Sequence, residues 1–128
     1  MTYQGTIWGL PLNYKCITLI YNKDMVSAPP KTSAELVALA TKLTDAKVGK
    51  FGLAYSYADF YYHAALMNAF AGGVFDAKNQ PTVNSAGNVR SFEQLMKWID
   101  QGFMPAEPSS ALITALFNDG KAAMVFSG

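Results

Sequence analysis

The sequence predicts an α/β domain of three layers over residues 1–128, with helices covering both faces of a sheet. Three observations predict it. Short apolar runs at Tyr14–Asn22, Phe51–Tyr55 and Ala122–Phe126 read as buried strands. Stretches with apolar residues at helical spacing alternate with them. A capping signature, Thr32-Ser-Ala-Glu35, marks one point where strand and loop give way to helix. Such alternation builds a sheet with helices packed on either side, and ligands then bind at the carboxyl ends of strands beside helix N-termini.

Taken in order, Ile7–Leu10 is a short extended segment stopped by Pro11. Tyr14–Asn22 carries Ile17, Leu19, Ile20 and Tyr21, as a strand buried on both faces would. Asn22 through Pro30 is a loop, because paired prolines resist helix and strand alike. Behind the capping box, Leu36, Leu39, Ala40 and Leu43 predict a helix from about Ser33 to Thr44, with Thr32 and Glu35 satisfying reciprocal amides. Lys47–Lys50 is a polar turn and Phe51–Tyr55 a short strand. Tyr57-Ala-Asp59 opens a second helix running to Phe70, and Gly72-Gly73 ends it through the left-handed conformation glycine tolerates. Val74–Asp76 reads as a short strand. Val89, Phe92, Met96 and Ile99 mark a third helix, about Ser85 to Gln101, ended by Gly102. A fourth helix follows Pro108-Ser-Ser110 with Leu112, Ala115 and Leu116 inward, and Asn118-Asp-Gly120 turns the chain into the last strand.

The totals bound function mainly by exclusion. Ten basic residues oppose nine acidic ones, so no field attracts nucleic acid or an anionic membrane. No apolar run approaches the roughly 18 residues of a membrane span, and the first residues lack the basic start and apolar core of a signal peptide. The single cysteine, Cys16, forms no internal disulfide and reads as a small buried hydrophobe rather than a nucleophile. His63 is the only histidine, expected to pack beside its helix or to donate one hydrogen bond, and no second His or Cys completes a zinc site. Neither a phosphate loop, a G-x-G-x-x-G nor a G-x-S-x-G is present, so no catalytic residue and no cofactor are expected.

The densest chemistry lies in Tyr55-Ser-Tyr-Ala-Asp-Phe-Tyr-Tyr-His63, where a strand hands over to a helix. Free amides and partial positive charge face a ligand there. Sugar sites combine flat aromatic platforms with a carboxylate that orients hydroxyls, and Asp59, Phe60, Tyr61 and Tyr62 supply both groups. The same residues also suit plain packing, with Asp59 as a helix cap. Packing is the better reading for Tyr55 and Tyr57, and both readings stand for Asp59–Tyr62. Lys15, on an otherwise apolar segment near Asn13 and Tyr14, is the second candidate, although most lysines are merely solvated.

Five segments in order carry a resemblance: Gly9-Leu-Pro11, Leu19-Ile-Tyr-Asn-Lys-Asp24, Pro29-Pro-Lys-Thr32 with Glu35, Gly72-Gly73, and Ala115-Leu-Phe-Asn-Asp-Gly-Lys-Ala-Ala-Met124. Together they resemble the extracellular solute-binding proteins of ABC importers, the maltose-binding-protein-like sugar receptors. Ser33 stands where these proteins usually have tryptophan, and Gly128 is where they commonly continue into Pro-Trp. The resemblance implies most of one lobe of a type II periplasmic-binding-protein fold, without its N-terminal partner lobe or return segments. It implies a non-catalytic, periplasmic or extracellular parent that binds a mono- or oligosaccharide of the maltose, trehalose or gluco-oligosaccharide class and engages an ABC permease. By position, Lys15 and the Asp59–Tyr62 run fall where such receptors contact sugar, and binding by this lobe in isolation is expected to be weak or absent. The alternative is an excised, engineered or evolutionary folding module with no activity of its own, forming a homodimer through its uncovered surface.

Overall fold

The computed structural model describes residues 1–128. The chain opens with a small antiparallel hairpin, β1 (Thr2–Tyr3) and β2 (Thr6–Ile7). Gln4 and Gly5 both carry positive φ, 48° and 76°, which lets a two-residue turn follow the twist of its strands. Strands this short carry no alternation to read, and the sequence reading missed the hairpin.

The main sheet has three strands, β3 (Thr18–Tyr21), β4 (Phe51–Ala54) and β5 (Ala122–Ser127), in the order β3-β5-β4. Central β5 runs antiparallel to β3 and parallel to β4. The register sets Leu53 beside Met124 and Ala54 beside Val125, while Thr18 faces Ser127. The carboxyl tips of β4 and β5 therefore share one end of the sheet with the start of β3.

Here the structure corrects two expectations. The predicted strand Tyr14–Asn22 pairs only over Thr18–Tyr21, and it is a half-buried edge strand rather than one buried on both faces. Residues before Thr18 run outside the ladder, leaving Tyr14 90% exposed. Cys16 lies in that arm and is exposed, not buried.

Helix α1 (Ser33–Leu43) starts where the capping signature places it, with the Thr32 Oγ1 accepting from the Glu35 amide at 3.1 Å. The Glu35 carboxylate reaches back one residue further than a standard box, to the Lys31 amide at 2.7 Å. A 3-10 turn (Ala46–Val48) and left-handed Gly49 then lead into β4. Helices α2 (Phe60–Ala69), α3 (Ala86–Asp100) and α4 (Ser110–Asn118) follow, capped by Asp59, Ser85 and Ser109. Gly102, with φ 73°, lies just beyond α3 as expected.

Layering follows from which faces are apolar. Leu36 and Ala40 of α1 and Leu95 and Trp98 of α3 share a core with Leu53, Tyr55 and Met124. Ile113 and Leu116 of α4 pack with Ala54, Ala122 and Val125 in a second cluster. Helices thus cover both sheet faces, the α/β/α arrangement expected. Burying a Leu or Met side chain of this kind contributes about 1.5–3 kcal/mol.

Helix orientation follows close packing as well as apolar spacing, and on α4 it departs from the expectation. On α3 the inward residues are Gly87, Asn88, Ser91, Leu95 and Trp98, whereas Val89, Phe92 and Met96 are 48–55% exposed. The helix turns small and polar residues inward because it packs closely on α2 and the following turn. A Cβ on Gly87 would sit 2.6 Å from both the Gly72 nitrogen and the Phe70 carbonyl oxygen. On α4, Ile113 and Leu116 are buried and Leu112 half-buried, while Ala115 is exposed.

The end of α2 also differs. Its left-handed residue is Ala71, with φ 55°, rather than either glycine. Gly72 is small for another reason, since a Cβ there would strike the Asn88 Oδ1. Asn88 is 1% exposed. Its Nδ2 donates to the carbonyls of Gly73, Thr82 and Val83 at 2.8, 3.0 and 3.1 Å, and its Oδ1 accepts from the Gly73 amide at 2.9 Å. That pattern pins the loop after α2, in which the predicted strand Val74–Asp76 reduces to a single bridge between Phe75 and Pro81.

Candidate functional site

The tips of the strands gather most of the candidate residues. β4 ends at Ala54, and Tyr55–Asp59 carries the chain into α2. Asp59 caps that helix, its Oδ1 accepting from the Tyr61 amide at 2.9 Å. The capping geometry leaves the carboxylate exposed at the helix N-terminus, where exposed amides favour polar oxygen ligands.

The aromatic run divides by its position on the helix. Phe60 and Tyr61 are 55% and 47% exposed. Tyr62 is half-buried against the main core and meets Tyr61 edge-on, with ring centroids 5.3 Å apart. Tyr55 is buried, stacked edge-on against both Tyr57 and Phe126. Burial pushes the Tyr55 hydroxyl well above the ordinary phenol range, with the neighbouring Tyr57 adding to it. Tyr55 is thus a packing residue, as the sequence reading favoured.

Tyr57 does more than pack. Its hydroxyl donates to the Ala106 carbonyl at 2.8 Å, tying the α3–α4 loop to the end of β4.

Lys15 is exposed in the arm before β3. A methyl group built on Gly128 would lie 3.6 Å from the carbonyl oxygen of Cys16, the next residue, and 3.7 Å from the Tyr61 hydroxyl. The arm that carries Lys15, the end of β5 and the start of α2 therefore meet at one rim.

His63 sits one turn into α2 and faces α3. It is 2% exposed, stacked on Phe92 at 4.3 Å, with Nε2 3.2 Å from the Ser91 Oγ. The Ser91 hydroxyl donates to the Asn88 carbonyl at 2.7 Å, so the imidazole must donate through Nε2 and leave Nδ1 unprotonated. Nδ1 is buried without a partner, and burial lowers the pKa of the ring. This is the packed histidine the sequence reading expected.

Two depressions matter for chemistry. The larger, about 910 Å³, lies among α1, α2 and α3 and contains none of the candidate residues. A smaller open groove of about 440 Å³ lies at the strand tips, lined by Ser56, Ala58, Asp59, Glu107, Pro108, Ser109 and Ser110. The sequence reading missed Ser56 and Glu107. Their only signal was position, Ser56 just past a strand and Glu107 between two prolines. No group of three or more His, Cys, Asp and Glu side chains is arranged to hold a metal ion, and no helix is long and apolar enough to cross a membrane.

Residues 1–128 match the family model for bacterial extracellular solute-binding protein over their whole span. The chain belongs to that family. Its members are binding proteins rather than enzymes, in keeping with the missing catalytic motifs. Among similar proteins is the maltotriose-binding protein of Pyrococcus abyssi, 30% identical over 127 residues that cover 98% of this chain and 28% of the relative. The galactooligosaccharide-binding protein of Bacillus subtilis is 30% identical over 135 residues, covering 95% and 32%. Among solved structures, a cyclo/maltodextrin-binding protein complexed with maltotetraose superposes with a TM-score of 0.88 at 29% identity, over 98% of this chain and 34% of that one. The Thermus thermophilus maltotriose binding protein, bound with maltotriose, gives 0.82 at 29% identity, over 98% and 35%. This solute-binding protein chain therefore spans about a third of the length of the relatives it matches, and its α/β/α layers are those of a type II periplasmic sugar-binding fold.

Proposed function

We propose that this chain is a carbohydrate-binding lobe of an ABC-importer solute-binding protein, folding as one α/β domain and taking an oligosaccharide of the maltodextrin class. The observation that carries the reading is the rim where the start of α2, the end of β5 and the Lys15 arm converge. There Asp59 supplies a carboxylate for sugar hydroxyls, and exposed Phe60 and Tyr61 supply flat faces for sugar C–H groups. Tyr62 backs them from the core, and Lys15 lends a donor from the facing arm. The names of the relatives, which bind maltotriose, maltodextrin or galactooligosaccharide, support this ligand class.

In the whole receptor, outside the membrane, a second lobe would close over the sugar and the closed form would engage the permease. One lobe retains only part of the contacts, so its own binding is weak, on the order of millimolar or about −4 kcal/mol. Titrating the labelled protein with maltotriose, maltose, trehalose and a galactooligosaccharide tests this through amide shifts. Shifts at Lys15 and Asp59–Tyr62 support the site. Shifts confined to residues far from them, or none at tens of millimolar sugar, overturn it.

One observation favours a second reading, self-association of a module without activity of its own. Val89, Phe92 and Met96 form an exposed apolar stripe on α3, of the kind that marks an interface when left uncovered. Sedimentation across a concentration series tests it. A monomer at every concentration contradicts the homodimer, and a dimer abolished by F92S with M96S supports it.

A further inference from the structure

Helix α2 carries the strand-tip rim, yet only two of its side chains, His63 and Met67, are fully buried. One of these two anchors titrates. No charged residue stands anywhere in Phe60–Ala69, so the helix has no ion pair of its own. Its far end is fastened separately. Arg90 Nη2 donates to the Phe70 carbonyl at 3.2 Å, and the Asn88 Oδ1 accepts from the Gly73 amide at 2.9 Å. The end bearing Asp59, Phe60 and Tyr61 is held on α3 through His63, which meets Ser91 and Phe92 there. Tyr62 adds apolar contact with the core but no directional bond.

That contact suits a neutral ring alone. Ser91 spends its hydroxyl proton on the Asn88 carbonyl at 2.7 Å, so a second imidazole proton must go to Nδ1. Nδ1 is buried without a partner. No charged group of the packed elements compensates it. Arg90, Glu93, Lys97 and Asp100 of α3, Asp76 and Lys78 of the loop before it, and Asp59 at the start of α2 are all exposed. Neither ring nitrogen contacts any of them. Stacking on Phe92 offsets part of the cost of a cation, but burial prevails and lowers the pKa of the ring. A charged imidazole therefore gains most by reaching water. With the far end of α2 pinned, the way out is to lift its start from α3.

We infer that His63 and Ser91 are positioning residues for the sugar rim, and that acid releases saccharide by parting the start of α2 from α3. The inference rests on the sugar-binding reading above and makes it pH-dependent. With His63 neutral, its bond to Ser91 sets Asp59, Phe60 and Tyr61 against the Lys15 arm and the end of β5. With His63 charged, these three move off together, because they lie within the turn before it. A ring free in water has a pKa of about 6.5, so each pH unit below that favours the parted state about tenfold. Saccharide binds only the closed arrangement, so proton and sugar oppose one another.

The test follows the 128-residue chain by NMR from pH 7.5 to 5.5, without sugar and with maltotriose, in the parent and in His63→Gln. Glutamine can donate to Ser91 but does not titrate. Without sugar, the NOE between the His63 and Phe92 rings is expected to fade on acidification, while contacts between the paired Leu53 and Met124 persist. With maltotriose, the affinity read from the Asp59–Tyr62 shifts is expected to fall by up to about tenfold in the parent over that range. In His63→Gln the ratio of the two affinities is expected to stay near one. A ring NOE that persists at pH 5.5, or the same loss of affinity in both proteins, overturns the inference and leaves the sugar reading intact. No maltotriose shift at pH 7.5 overturns both.

Discussion

Asp59 holds the Tyr61 amide at 2.9 Å through a single carboxylate oxygen, so one side chain both starts α2 and faces the strand-tip rim. The two roles separate by substitution. Asparagine caps a helix about as well as aspartate, whereas alanine costs about 1 kcal/mol. D59N is therefore expected to keep the urea midpoint of the parent while weakening sugar binding, and D59A to lose on both measures. Equal sugar affinity in the parent and D59N would remove Asp59 from the site.

Asn88 is the polar pin beneath the α2–α3 connection. Four hydrogen bonds run from it to Gly73, Thr82 and Val83. Asn88→Ala strands those backbone groups and is expected to cost about 2–4 kcal/mol. Urea unfolding measures it, and a loss below about 0.5 kcal/mol would mean water replaces the side chain.

Close approach sets a second fragile point. A Cβ on Gly52 of β4 would run into the carbonyl of Ala40 on α1. Backbone rather than a flexible side chain blocks the space, so Gly52→Ala must push helix from sheet. The expected loss is about 1–3 kcal/mol, read as a lowered thermal midpoint with the far-UV spectrum retained.

The single histidine makes the acid side of the stability profile readable. Burial lowers the His63 pKa in the folded state, against about 6.5 when unfolded. As pH falls through that value the unfolded chain takes up a proton that the folded chain resists, so stability drops. The urea midpoint is expected to fall between pH 7.5 and 5.5, before carboxylates titrate, and to fall less in His63→Gln. Equal slopes in the two proteins would exclude His63 as the cause.

Much of this was legible in the residues. Thr32 with Glu35 marked the start of α1, and Gly102 marked the end of α3. Which way a helix faces was harder. Val89, Phe92 and Met96 gave a convincing apolar period, but the inward side went to Gly87, Asn88 and Ser91 because α2 and its following turn pack too closely for bulk. Periodicity reports where apolar residues lie, not which face the fold leaves open. Cys16 and Tyr14 were misjudged similarly, since an apolar run does not say where pairing begins. At the site, Asp59 and its aromatics stood out by composition. Ser56 and Glu107 did not, because only the Tyr57 tether and the packing of two helix starts bring them to one groove.

Contacts between sugar protons and ring protons test most directly whether saccharide rests at the strand tips. With maltotriose in excess, intermolecular NOEs are expected from the sugar C–H face to the Tyr61 or Phe60 ring. NOEs reaching only Phe92 and Met96 on the far helix, with none at Phe60 or Tyr61, would mean the strand tips are not where saccharide rests.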